Sequence, residues 1–238
     1  MKKLFLTILI YMTMTCSAVW AQNAMYFYNR GLESSMVNKR IHYFSKALQL
    51  NPNFVEAYEK RAIHYYFQQR FDNAIQDYTK VIELKPARAE AYRMRGLAQL
   101  KKGDLDGAID NFDRAIQLDP QPASSYGYRG EAYRLKGLPQ EAMRDSTKAI
   151  QLRGDERTTA RAYRTRAKVY RELGEYELSD ADFRRYVELD PRFYLFRYFA
   201  NTASLEAIHR IGLIGIIAIS FLTIFKVALP APRKSDEE

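Results

Sequence analysis

The segment Glu90–Leu100, EAYRMRGLAQL, is echoed by EAYEKRAIHYY from Glu56, SSYGYRGEAYR from Ser124 and RAYRTRAKVYR from Arg161. Each carries a tyrosine, an arginine three residues on, and then glycine or alanine. Aligning the small residues gives Gly31, Ala62, Gly96, Gly130 and Ala167, with Phe27, Tyr58, Tyr92, Tyr126 and Tyr163 four residues before them. The aromatics are therefore spaced by 31, 34, 34 and 37 residues. A period of this size commits a chain to a stack of similar units, because one such unit cannot bury its apolar face alone.

Each unit has a second half. GDLDGAIDNFDRAIQLDP, Gly103–Pro120, and RFDNAIQDYTKVIELKP, Arg70–Pro86, place apolar residues at steps of three and four, as Ala108, Ile109, Phe112, Ala115 and Ile116 do. That is the period of an amphipathic helix. Pro52, Pro86, Pro120 and Pro191 end these helices, since proline has no backbone N–H to donate. Gly103, Gly137 and Gly174 fall between the two helical patterns, where the chain must turn. The expected unit is a helical hairpin.

Tyr92, Gly96, Ala108, Phe112, Ala115 and Pro120 resemble the tetratricopeptide repeat, residue type for residue type. The resemblance runs from about residue 24 to 191, with units near 24–54, 55–88, 89–122, 123–159 and 160–193. It implies an all-α, right-handed solenoid of about five hairpins. Three units depart from the pattern. The first is short and has Arg40 in place of a small alanine; the fourth has Ser146 for the aromatic and Gly154 for the proline; the fifth follows an insertion, RGDERTT.

Where the family more often has leucine, this chain has Arg30, Arg61, Arg95, Arg129 and Arg166. In the second helices, Asp77, Asp145 and Asp182 precede the aromatic or its substitute, and Asn111 does so in the third unit. The expectation is a repeated, partly buried Arg–Asp ladder between the helices of each hairpin, with a structural role.

The ends set the location. MKKLFLTILIYMTMTCSAVWAQ, with two lysines before an apolar run and small residues up to Ala21, reads as a signal peptide over 1–21. Cleavage there would remove Cys16, the one cysteine of the chain. Toward the other end, Ile211–Leu229 would span about 28 Å as a helix at ~1.5 Å per residue, enough for a bilayer core. A transmembrane helix over 208–229 follows, with Lys226, Arg233 and Lys234 at its inner end and a cytoplasmic tail over 230–238. The repeats would then be exported on a single-pass membrane protein. Net charge is +9, but that topology excludes nucleic acid and leaves anionic lipid or an acidic protein as the partner. Phe193, Tyr194, Phe196, Tyr198 and Phe199 suit a capping or juxtamembrane helix over 192–207.

Catalysis has little to use. His42, His64 and His209 are scattered, and no HExxH, nucleophile elbow or phosphate loop occurs. The sequence reads as a non-enzyme with no cofactor and no metal.

The resemblance implies that first helices line a concave, segment-binding surface. In the fifth unit the inward places hold Arg161, Arg164, Lys168 and Arg171, one stripe that repels itself unless an acid lies against it. The fourth holds Ser124, Gly127, Glu131 and Arg134; the third Glu90, Arg93, Leu97 and Leu100; the second Glu56, Glu59, Ile63 and Tyr66. The expected site is a groove of Tyr66, Arg93, Arg134, Arg161, Arg164, Lys168 and Arg171 that takes an acidic or amphipathic protein segment. The alternative is a structural subunit of a membrane assembly, acting through its transmembrane and aromatic segments. The sequence leaves the oligomeric state open.

Overall fold

The computed structural model describes residues 22–193, and the described residues are helical with no strand. Helix α1 covers 22–33. It is followed by α2 (Val37–Leu50), α3 (Val55–Phe67), α4 (Phe71–Leu84), α5 (Ala89–Lys102), α6 (Leu105–Leu118), α7 (Ala123–Leu135), α8 (Pro139–Gln151), α9 (Glu156–Glu172) and α10 (Tyr176–Leu189). The chain divides after Leu189, and the second unit opens with a short 3₁₀ turn, Pro191–Phe193. Among the described residues no helix is long and apolar enough to cross a membrane. The expected signal peptide, transmembrane helix and tail, and the 192–207 helix beyond Phe193, lie outside the described residues.

Helices pair as hairpins: α3 with α4, α5 with α6, α7 with α8, α9 with α10. Each second helix also packs on the first helix of the next unit, so every hairpin is held by its neighbours. The core follows the repeat. Tyr78 and Phe112, at matching positions in α4 and α6, are only 2% and 0% exposed. Around them lie the alanines at which the helices close up, Ala74, Ala91, Ala98, Ala108, Ala115 and Ala132.

The turns inside the last three hairpins are made by Gly103, Gly137 and Gly174, at φ +93°, +78° and +81°. A Cβ costs about 1 kcal/mol there, which explains the glycines. In the second hairpin the same place holds Gln69 at φ 59°. Helix α9 begins at Glu156, inside the stretch that the repeat pattern gives to the insertion and the fourth unit. Asp155 makes this possible: its carboxylate accepts from Thr158 N at 2.9 Å and Thr158 Oγ1 at 3.0 Å, capping the first turn.

Candidate protein-binding groove

The ladder fixes the geometry of the first helices. Arg61 donates from Nε and Nη2 to the two Asp77 oxygens at 2.8 and 2.7 Å. Arg129 does the same to Asp145 at 2.6 and 2.8 Å, and Arg166 to Asp182 at 2.6 and 2.8 Å. Arg95 has the neutral Asn111, 2.9 Å from its Nε. The remaining nitrogen of each guanidinium reaches back to the preceding unit: Arg61 to Ser45, Arg95 to Thr79, Arg129 to Asp113 and Arg166 to Thr147, at 2.5–3.1 Å. One side chain thus ties three helices together.

Tyrosines flank the ladder. Arg61 lies over Tyr58 and Tyr65, Arg129 over Tyr126 and Tyr133, and Arg166 over Tyr163 and Tyr170, at 5.5–5.9 Å from the ring centroids. The second tyrosine, four residues after the arginine, and the backward contacts go beyond what the sequence reading identified. The tyrosine is visible as a repeat once sought; the backward contacts cross between units. In the first unit Arg30 is exposed, pairs with Glu33 at 3.6 Å and lies over Tyr43, which fills the aspartate's place.

First helices form the inner side of the stack. Helix α7 packs on α9 and α5 touches α7, while no two second helices pack extensively together. On this side Arg161 and Tyr128 are in contact, the guanidinium 4.3 Å from the ring centroid. Tyr128 stacks in turn on Phe112 at 5.9 Å and 15°. Tyr66 belongs to the same cluster; burial raises its pKa, the Tyr128 hydroxyl adds to that, and Arg161 opposes it. Leu97 and Leu100 do not line an open groove. They are 6% and 9% exposed, in a buried cluster against which Tyr66 and Tyr128 pack, so the floor of the third unit is closed apolar core.

Farther along, Glu131 sits among cations. It accepts from Arg134 Nε and Nη2 at 3.0 and 3.1 Å and from Thr165 Oγ1 at 3.2 Å, with Lys168 Nζ at 3.9 Å. Burial alone would push its pKa up. The Arg134 bonds and the charges of Lys168 and Arg164 outweigh burial and hold it below the usual glutamate value. Arg134 also reaches Glu172 at 2.7 Å. Lys168 is shifted down by burial, with Arg134 and Arg164 adding to the shift. The Arg164 guanidinium lies over Tyr186 at 5.9 Å, and its buried Nε has no hydrogen-bond partner among the described residues.

The stripe therefore carries part of its own counter-charge, supplied by α7. Arg161 and Tyr66 meet around Tyr128, and Arg134, Arg164 and Lys168 meet around Glu131. Arg93 is held apart from them by its ion pair with Glu90, and Arg171 is exposed with no ion pair among the described residues. Among the described residues no group of three or more His, Cys, Asp or Glu is placed to hold a metal ion.

Sequence models of the tetratricopeptide repeat match residues 59–123, 93–155 and 160–193, together more than half of the chain. No curated protein sequence matches the chain. Among solved structures, a crystal structure of MamA is 27% identical, covering 64% of this chain and 87% of its own, with a TM-score of 0.57. MamA 41-end from Desulfovibrio magneticus RS-1 is 18% identical, covering 71% and 94%, with a TM-score of 0.63. YrrB, described as a tetratricopeptide repeat protein with an unusual peptide-binding site, is 15% identical, covering 76% and 90%, at 0.57.

Proposed function

Because the chain belongs to the tetratricopeptide repeat family, we propose that it is a protein-interaction scaffold whose fourth and fifth units hold an acidic or amphipathic segment of a partner. The observation that carries this reading is the excess of cations around Glu131. Arg134, Arg164 and Lys168 surround this half-buried carboxylate, Arg134 has Glu172 as its second partner, and Arg164 Nε has no acceptor among the described residues. A half-buried cation without a full counter-charge gains most from an incoming carboxylate. Beside it, Arg161 on Tyr128 offers a flat shelf for an apolar or aromatic side chain. The acidic end of the segment would lie toward the fifth unit and its apolar part toward Tyr66 and Tyr128.

In this reading the repeats are exported and held at the membrane by the helix expected over 208–229, which raises the local concentration of whatever is bound there. Protease treatment of intact and permeabilised cells tests the location: cleavage of the repeats in intact spheroplasts is expected, and full protection would refute it. The groove is tested by crosslinked capture from membranes with the wild type and an Arg161→Glu/Arg164→Glu/Lys168→Glu variant of equal helical content. Loss of one partner in the variant alone is the expected result. The same partners with both proteins would move the site elsewhere.

A further inference from the structure

The last second helix, α10, departs from the others at the positions that face a following unit. In α6 these positions are Phe112, Asp113 and Asp106. Tyr128 of α7 stacks on Phe112, Arg129 of α7 pairs with Asp113 at 2.5 Å, and Lys136, just after α7, pairs with Asp106. Between the two ion pairs the α6 number falls from 113 to 106 as the other rises from 129 to 136, so the two helices are antiparallel. The Asp106 contact recurs one unit earlier, where Lys102 pairs with Asp72 at 2.6 Å.

The corresponding residues of α10 are Phe183, Arg184 and Glu177. Phe183 is 50% exposed where Phe112 is buried, and Tyr176 is 65% exposed. Neither Glu177 nor Arg184 enters an ion pair among the described residues. Arg184 stands where Ser45, Thr79, Asp113 and Thr147 receive the next unit's arginine. Another repeat of the same kind would bring an arginine against it. What fits is a helix with an aromatic residue followed at once by an acid, and a cation seven residues after the acid.

Helix α10 carries that pattern itself: Tyr176, Glu177 and, seven residues on, Arg184. We propose that α10 is a self-association surface on which the α10 of a second copy lies antiparallel, as α7 lies on α6. Tyr176 of each copy packs on Phe183 of the other, and Glu177 of each pairs with Arg184 of the other. The arrangement closes on a two-fold axis, because exchanging the copies exchanges the two ion pairs. The residues after Phe193 offer no aromatic–acid pair; the nearest candidate there, Phe196–Arg197, would bring an arginine to Arg184.

Sedimentation equilibrium of the full chain tests this with Arg184→Glu, Glu177→Arg and the double exchange. A reversible wild-type dimer is expected, weakened by roughly tenfold or more in each single variant, since two attractive pairs become repulsive. The double variant restores the dimer with the charges reversed. That restoration separates loss of contact from loss of folding. A wild type monomeric at all concentrations, singles that associate like the wild type, or a folded double variant that stays monomeric would each overturn the proposal. A photocrosslinker in place of Phe183 gives a second readout. Capture of the Tyr176-containing peptide from an isotopically distinct copy supports the proposal; capture of the chain's own later residues, or of another protein, refutes it.

Discussion

Arg95 meets the amide oxygen of Asn111 where the other three rungs meet a carboxylate. Burial lowers the Arg95 pKa, with only Tyr92 opposing. Burial acts the same way on Arg129, but Asp145 and then Asp113 outweigh it and hold that guanidinium above its usual value. The third rung differs in two coupled places. Gln99 stands where the other rungs have the second tyrosine, and its side-chain oxygen accepts from Asn111 Nδ2 at 2.6 Å.

The rungs should therefore respond unequally to loss of the arginine. Arg129→Ala strands the buried Asp145 and is expected to destabilise the fold by about 3 kcal/mol. Arg95→Ala strands only neutral acceptors and should cost about 1–2 kcal/mol. Urea unfolding followed by far-UV circular dichroism measures both, and equal losses would contradict the account.

Gln69 holds a left-handed backbone in the turn where three other units have glycine. Gln69→Gly is expected to stabilise the fold by up to about 1 kcal/mol, by removing the Cβ penalty. Its N–H to Tyr66 O bond, at 2.9 Å, is kept in the variant. A lower thermal midpoint for the variant would count against this.

His64 stacks on Phe44 at 5.9 Å and 9°, and its pKa lies below 6.5 through burial and then the charges of Arg40 and Lys60. The unfolded chain thus binds this proton more readily than the folded one. The stability His64 confers is complete above pH 6.5 and is lost as pH falls below 6.5 toward the lowered folded value. Thermal midpoints on either side of that window should fall further for the wild type than for His64→Gln.

Ser146 fills the place of Tyr78 and Phe112, and its Oγ is buried with no hydrogen-bond partner among the described residues. Ser146→Ala removes an unsatisfied hydroxyl and is expected to be neutral or stabilising by up to about 1 kcal/mol. A loss of that size under urea would reveal a bond formed in solution.

Period and helical phase were legible because they are properties of a single unit. The tyrosine–arginine phrase, the alternation of helices and the glycine turns all lie within some thirty residues of chain. What escaped reading depends on neighbours. That Leu97 and Leu100 belong to a buried cluster against which Tyr66 and Tyr128 pack depends on how α3, α5 and α7 come together, which no single unit records. That Glu131 partly neutralises the basic stripe depends on which turn of α7 faces Lys168. The early start of α9 came from one capping aspartate inside a stretch that looked like an insertion.

The sharing of each ladder arginine between adjacent hairpins also bears on how such an array can grow. A duplicated internal unit brings its own arginine, its own Asp or Asn acceptor and a Thr or Asp at the slot for the next copy, so an in-frame gene duplication leaves no rung incomplete. A copy added after α10 would set its arginine against Arg184. The array is therefore free to lengthen from within, whereas extension after α10 begins with a like-charge contact.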